Sequence, residues 1–195
     1  MDEAHAIARL KRGDITGLAL LVEKYQHQAL RTAVLITREQ AQAEDVVQSA
    51  FIRAYERIAQ FDEQRPFGPW FLKSVVNAAI QAARRRQRTL SLDDQAAEGQ
   101  HFLELLQHEA PGADDRLEAD ERRQVVRQAL QKLSPEQRAV VVMRYYLEMN
   151  EKEIAEVLAA PHGTIKWRLH AGRNRLRGIL QRFAPSPAEK EGSHE

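Results

Sequence analysis

Apolar residues in the first ninety positions recur every three to four residues, the spacing that gathers side chains onto one face of an α-helix. Residues 4–12 form a short run of this kind that ends at Gly13. Asp14 opens a longer run in which Leu18, Leu21, Val22, Tyr25, Ala29, Leu30, Ala33 and Val34 make the buried stripe. A third, from about Gln40 to Ala59, turns Val46, Val47, Ala50, Phe51, Ala54, Tyr55 and Ile58 inward. The segment FDEQRPFGP, residues 61–69, breaks the period with two prolines and a glycine and predicts a loop. A fourth helix is predicted from Trp70 to about Arg88. Periodicity is then lost over 89–115, apart from a short apolar cluster at Phe102, Leu103, Leu105 and Leu106.

The period returns over 117–132. Ser134–Pro135–Glu136–Gln137 then reads as a capping box with proline in the first helical turn, opening a helix that carries Val140, Val141, Met143 and Tyr146. No stretch alternates with period two for long enough to be a strand. The pattern predicts an all-α protein of two small helical domains joined by a linker. The boundaries are 1–88 for the first domain, 89–116 for the linker, 117–183 for a second, four-helix domain, and 184–195 for a disordered tail.

Residues 150–177, NEKEIAEVLAAPHGTIKWRLHAGRNRLR, narrow the reading furthest. They predict a short helix, a tight turn closed by Pro161, and a second helix dense in positive charge. That is a helix-turn-helix, a device for laying a helix in the DNA major groove. Asn150 is placed to cap the first helix, with Glu153 reaching back to it. Ile154, Ala155, Val157 and Leu158 form its inner face, and Pro161 suits the first turn of the next helix. Ile165, Leu169, Leu176 and Leu180 continue inward, while Lys166, Trp167, His170, Arg173 and Arg177 point outward, where base edges and phosphates would lie. The plainer alternative is an αα-hairpin with solvated arginines.

The fourth helix carries a second polar stripe. Lys73, Asn77, Gln81, Arg84 and Arg88 share one face, opposite Leu72, Val75, Val76, Ala79 and Ala83. Amide and cationic groups in a row are what phosphate and base-edge contacts require. Phe67, Trp70 and Phe71 could stack on an unpaired base. Trp70 and Phe71 sit where the helix meets its core, whereas Phe67 on the loop is expected to be the more open.

Charge changes this picture through its distribution. Over 195 residues the net charge is +1. Yet 84–88 read RRRQR, and Lys166, Arg168, Arg173, Arg175 and Arg177 cluster near the end. Between them Asp93, Asp94, Glu98, Glu104, Glu109, Asp114, Asp115, Glu118, Asp120 and Glu121 face only Arg116, so the linker is acidic. There is no cysteine, which excludes disulfides and thiolate metal sites. The seven histidines lack metal-ligand spacing, and no metal or other cofactor is expected. No run is long and apolar enough to span a bilayer, and the N-terminus does not read as a signal peptide, so a soluble cytoplasmic protein is expected.

The two halves together resemble bacterial sigma factors. AEDVVQSAFIRAYERIAQF, a loop, and WFLKSVVNAAIQAARRRQR resemble the second conserved region of that family. LQKLSPEQRAVVVMRYYLEMNEKEIAEVLAAPHGTIKWRLHAGRNRLR resembles the fourth. A short linker in place of a third domain resembles the extracytoplasmic-function subgroup. The resemblance implies a factor that binds core RNA polymerase, at the clamp of the largest subunit and at the flap, and directs it to promoter DNA. It implies no catalysis, no small-molecule substrate, no membrane insertion, and regulation by an anti-sigma factor that can sit at the membrane.

By the same resemblance, Asp45, Gln48, Ser49, Phe51 and Ile52 on the third helix meet the polymerase, with Ser49 standing where glutamate is common. Gln64, Arg65 and Phe67, with Lys73, Asn77, Gln81 and Arg84, would engage the minus-ten element, where a base is extruded at a cost of a few kcal/mol. Lys166, Trp167 and His170 would read the minus-thirty-five element, with Arg168, Arg173 and Arg175 on phosphates. Trp167 stands where a small residue is usual, Ala171 where a basic one is common, and Ala159 where the turn usually has glycine. The acidic linker has two readings: a stand-in for RNA in the polymerase channel, or a solubilising tether.

Two rival readings find less support in the residues. A stand-alone helix-turn-helix regulator would carry a ligand-binding or receiver domain, and 1–88 offer neither a strand-rich pattern nor a phosphorylation pocket. An enzyme acting on nucleic acid would need a carboxylate cluster, a nucleophile constellation or a phosphate-binding glycine loop, none of which is legible.

Overall fold

The computed structural model describes residues 2–90 and 124–181. Nearly all of the expected linker with its apolar cluster, the start of the helix expected from 117, and the tail lie outside the described residues. Among the described residues the regular structure is helical throughout: α1 Glu3–Lys11, α2 Thr16–Thr37, α3 Gln40–Arg57 running into a 3-10 turn Ile58–Gln60, and α4 Phe67–Leu90. Beyond the linker come α5 over 124–131, α6 Pro135–Tyr145, α7 Glu151–Leu158 and α8 His162–Leu180.

Helix α2 is the hub of the front half, packing on α1, α3 and α4. It opens at Thr16, two residues later than the pattern predicts, because Asp14 works through its side chain. Asp14 Oδ1 accepts from the Thr16 backbone N–H at 3.0 Å, and Oδ2 bridges Arg9 Nε at 2.7 Å. The Thr16 hydroxyl and the Arg9 guanidinium hold the Asp14 carboxyl down at about 2. Where α1 crosses α2 the chains meet at Gly17, and a β-carbon there would strike the Ala6 carbonyl oxygen.

Helix α4 begins at Phe67, so Gly68 and Pro69 belong to its first turn and the loop is shorter than expected. Proline is compatible with a first turn because the N–H it lacks would have no partner within the helix. Gly68 lets the turn approach Tyr25, whose ring would lie 3.0 Å from an added β-carbon. The Tyr25 hydroxyl in turn donates to Glu3 Oε2 at 2.6 Å, tying α1 to this corner.

Both expected capping boxes are present. Ser134 Oγ accepts from the Gln137 N–H at 3.2 Å while Gln137 Oε1 accepts from the Ser134 N–H at 3.2 Å. Asn150 Oδ1 accepts from the N–H groups of Lys152 and Glu153 at 3.0 and 3.1 Å, and Glu153 Oε2 accepts from the Asn150 N–H at 2.7 Å. Ala159 ends α7 in the left-handed conformation, φ 47°. Pro161 stands immediately before α8 rather than inside its first turn. Ile165 and Leu169 are fully buried, whereas Leu176 is half-buried and Leu180 is 37% exposed. The inward stripe therefore fades toward the end of α8, which outruns the helices it packs on.

The two halves also pack on each other. Helix α6 touches α2 and α4, α7 touches α4, and one continuous hydrophobic cluster includes Leu21, Ile36 and Val75 from the front with Val140, Met143, Ile154 and Leu169 from the back.

Two substitutions test these backbone assignments. Ala159→Gly removes the β-carbon from a left-handed residue and should stabilise the protein by about 1 kcal/mol in urea unfolding. Gly17→Ala should destabilise it by about 1–3 kcal/mol, because the α1–α2 crossing must open to admit the methyl.

Candidate nucleic-acid interface

The turn between α7 and α8 aims one face of α8 at solvent. Ala159 in its left-handed conformation lets the Ala160 N–H reach back to the Ala155 carbonyl at 3.0 Å, and the Pro161 carbonyl accepts from the Thr164 and Ile165 N–H groups at 2.9 and 3.2 Å. Ile165 and Leu169, one turn apart, then pin the helix onto the core. Gly172 continues that inner face, where an added β-carbon would stand 3.1 Å from Val141 on α6.

Opposite the pins, Lys166, Trp167, His170, Arg173 and Arg175 are exposed and Arg168 is half-buried. Trp167 is 65% exposed, an unusual state for an indole in a packed helical protein. Its neighbour one turn on, His170, meets Asn174 at 2.9 Å through Nε2, which steadies the imidazole on the helix surface. His162 in the first turn is bridged to Glu151 at 3.2 Å. The result is a protruding ridge with an aromatic plate at its centre and cations on either side.

The second polar face, on α4, is less open than its sequence indicates. Gln81 is exposed, but Lys73 Nζ donates to the Glu156 carbonyl at 3.2 Å and Asn77 Nδ2 to the Val157 carbonyl at 3.2 Å. Both acceptors lie in the last turn of α7, where helix carbonyls lack intrahelical partners and the helix dipole is negative. Arg84 forms an ion pair with Glu136 at the start of α6. Glu136 is partly desolvated, which works against its charge, but the hydrogen bond from Arg84 prevails and its carboxyl lies below the usual range.

Of the residues expected to hold an extruded base, Gln64 and Arg65 are exposed on the turn before α4. Asp62 organises that turn, its carboxylate accepting from the Gln64 N–H at 3.0 Å and its carbonyl from the Arg65 N–H at 3.0 Å. Phe67 corrects the expectation. It is fully buried, with ring centroids of Tyr25, Phe61, Trp70 and Phe71 within 5.7 Å, so it supports the site from beneath and offers no face to a base. Its place in the first helical turn, rather than in a loop, is what draws it inward.

Trp70 is the aromatic residue that reaches the surface here. It is half-buried and walls a cleft of about 570 Å³ with Arg53, Arg57, Lys73, Asn77 and Gln81. Arg53 Nη2 is buried there without a hydrogen-bond partner. Sequence reasoning considered Trp70 and left Arg53 out. The only signal for Arg53 was its basic side chain one turn beyond the inward-facing Ala50.

On α3, Asp45, Gln48, Ser49 and Ile52 line up on one exposed face. Ile52 is 50% exposed, an apolar contact point among polar ones. Phe51 is again a correction: 7% exposed and stacked on Phe71 with centroids 4.4 Å apart, it braces α3 against α4 and is withdrawn from any docking partner.

Comparison with known proteins places these surfaces in a family. Residues 21–89 match the model of sigma-70 region 2, and residues 123–176 match that of sigma-70 region 4. The ECF RNA polymerase sigma factor SigW of Bacillus subtilis is 32% identical over 177 residues, covering 90% of this chain and 95% of the relative. The RNA polymerase sigma-H factor of Pseudomonas aeruginosa is 31% identical, covering 90% and 92%, and the ECF sigma-E factor of Escherichia coli 28% identical with the same coverage. Among solved structures, CnrH in complex with the cytosolic domain of CnrY aligns with a TM-score of 0.62 at 22% identity, covering 92% of this chain and 97% of that one. The sigma factor RpoE in complex with the anti-sigma factor NepR from Bartonella quintana aligns with a TM-score of 0.59 at 24% identity, covering 86% and 97%. With both conserved regions present in order and the match to SigW running almost end to end, the chain belongs to the extracytoplasmic-function sigma factors of the sigma-70 family, the promoter-specificity subunits of bacterial RNA polymerase.

Proposed function

We propose that the chain grips one promoter at two places while its front half holds the polymerase. Region 1–88 acts as the minus-ten and core-binding domain and 117–183 as the minus-thirty-five domain. The observation that carries the reading is the α8 ridge, where Lys166, Trp167 and His170 stand exposed above the two buried pins Ile165 and Leu169. A flat indole edge suits thymine methyl groups, Lys166 and His170 suit acceptors on base edges, and Arg168, Arg173 and Arg175 suit phosphates.

In the minus-ten region Gln64 and Arg65 act with Trp70, which takes the stacking role first assigned to Phe67. Lys73, Asn77, Gln81 and Arg84 follow the strand along α4. Asp45, Gln48, Ser49 and Ile52 dock on the polymerase, Ile52 supplying the apolar anchor. Lys73 and Asn77 can reach DNA only after releasing α7, so promoter engagement requires the two halves to separate. The factor carries no chemistry of its own and works in the cytoplasm. An anti-sigma factor is its regulator, a reading supported by the partner named in the complex with NepR.

Lys166→Ala or His170→Ala should weaken binding to one promoter class by about 1–3 kcal/mol while sparing others, measured by polymerase-dependent footprinting on a promoter panel. Arg173→Ala should weaken every duplex and flatten the salt dependence. Equal losses on all promoters from all three variants would contradict these roles. Ile52→Glu should abolish co-elution with core polymerase without lowering thermal stability, since the side chain is half in solvent already.

A further inference from the structure

A pocket of about 110 Å³ lies where the end of α2, the last turns of α4 and the α5–α6 connection meet. Three arginines line it: Arg38 and Arg86 from the front half, Arg138 from the back. None has a part in the promoter or polymerase contacts above.

Arg138 is only 3% exposed. Its Nη1 donates to the Leu130 carbonyl at 3.4 Å, and its Nε is buried with no hydrogen-bond partner. Arg38 repeats the arrangement, with Nη1 on the Gln131 carbonyl at 3.3 Å and a buried Nε that makes no hydrogen bond. Among the described residues two carboxylates are near. Glu39 stands 3.6 Å from Arg86 Nη1, and Glu136 attracts Arg138 while paired with Arg84. Burial and then the charge of Arg38 lower Arg138 to about 9, against the pull of Glu136. Burial and then Arg86 lower Arg38.

Arg38 and Arg138 are desolvated guanidinium groups of like charge whose buried Nε donors go unused, which is costly unless an anion meets them. The backbone adds a separate sign. Arg38 closes α2 with φ 70°, a left-handed position that glycine or asparagine fills at less steric cost, yet the chain keeps a long cation there.

The geometry points to an oxyanion site of the phosphate class in the seam between the two halves, held by Arg38, Arg86 and Arg138. Guanidinium forks match tetrahedral oxyanions in both charge and direction. The volume suits one phosphoryl group and leaves no room for a whole nucleotide, so the ligand is free phosphate or the terminal phosphoryl of a nucleotide whose remainder projects outward. Both halves contribute, so the ligand stabilises the packed arrangement by mass action. Where the promoter reading above holds, it also opposes the release of Lys73 and Asn77 from α7. The site itself stands or falls independently of that reading.

Isothermal titration of the full chain with sodium phosphate, and separately with adenosine 5′-diphosphate, at ionic strength held constant with sodium chloride, tests the site. One site per chain is expected, weakened about tenfold or more in Arg38→Gln and in Arg86→Gln, and unchanged in the exposed control Arg12→Gln. Tighter binding of the nucleotide assigns the site to a nucleotide phosphoryl group, and binding of phosphate alone assigns it to the free ion. No saturable binding of either, or equal affinity in wild type and both pocket variants, overturns it. Arg138→Gln is informative only if circular dichroism shows it folded, so the two less buried arginines carry the test.

Discussion

The apolar face of α6 packs on α2 and α4 as well as on α8, so the helix that carries the reading helix is also part of the front half's core. Ala139, Val140 and Met143 are fully buried in that contact, and Val142 nearly so. Each large apolar side chain removed from water contributes about 1.5–3 kcal/mol, enough to hold two otherwise independent units together. The placement of the polar faces of α4 and α8 relative to one another follows from this one helix. A smaller cluster of Leu130, Leu133 and Val141, against Leu35 of α2 and Leu176 of α8, extends the same junction.

Polar contacts then decide what the junction hides. The carbonyls closing α7 present partial negative charge, and the donors that meet them, Lys73 and Asn77, are those the sequence assigns to DNA. A helix C-terminus and a phosphate backbone ask the same thing of a side chain: a positive or amide donor directed at an acceptor oxygen. On the proposed function, the end of α7 therefore competes with DNA for one set of groups. Arg84, paired with Glu136, extends the competition along α4. On that reading the chain is held shut by imitation of its target, and a partner that favours the separated arrangement would gain the donors that α7 gives up.

Most of the helices, both capping boxes and the outward face of α8 were legible in the sequence, because helical period and cap chemistry are local. Phe67 was misplaced because proline and glycine nearby read as a loop, whereas Pro69 is tolerated within a first turn that carries Phe67 under Tyr25 and Trp70. Phe51 was assigned to both an inner stripe and a docking face, and burial resolves it in favour of the first. The seam was not legible at all. Lys73 and Glu156 are 83 positions apart, and the period of a helix specifies which side of it is apolar but not what covers the other side. Nothing in the local pattern brings Arg38, Arg86 and Arg138 together either, since they stand at the ends and turns of three different helices.

The left-handed residue at Ala159 sets the elbow between α7 and α8 through the backbone alone, with Ile165 and Leu169 locking the far arm. If the α8 ridge reads DNA as proposed, it is preorganised before any duplex arrives, and little ordering entropy remains to be lost on contact. On that reading, discrimination between sequences falls to side-chain chemistry, above all to an indole that is already presented in the open. A stiff reader of this kind should tolerate few alternative docking angles, which narrows its targets without requiring tighter binding.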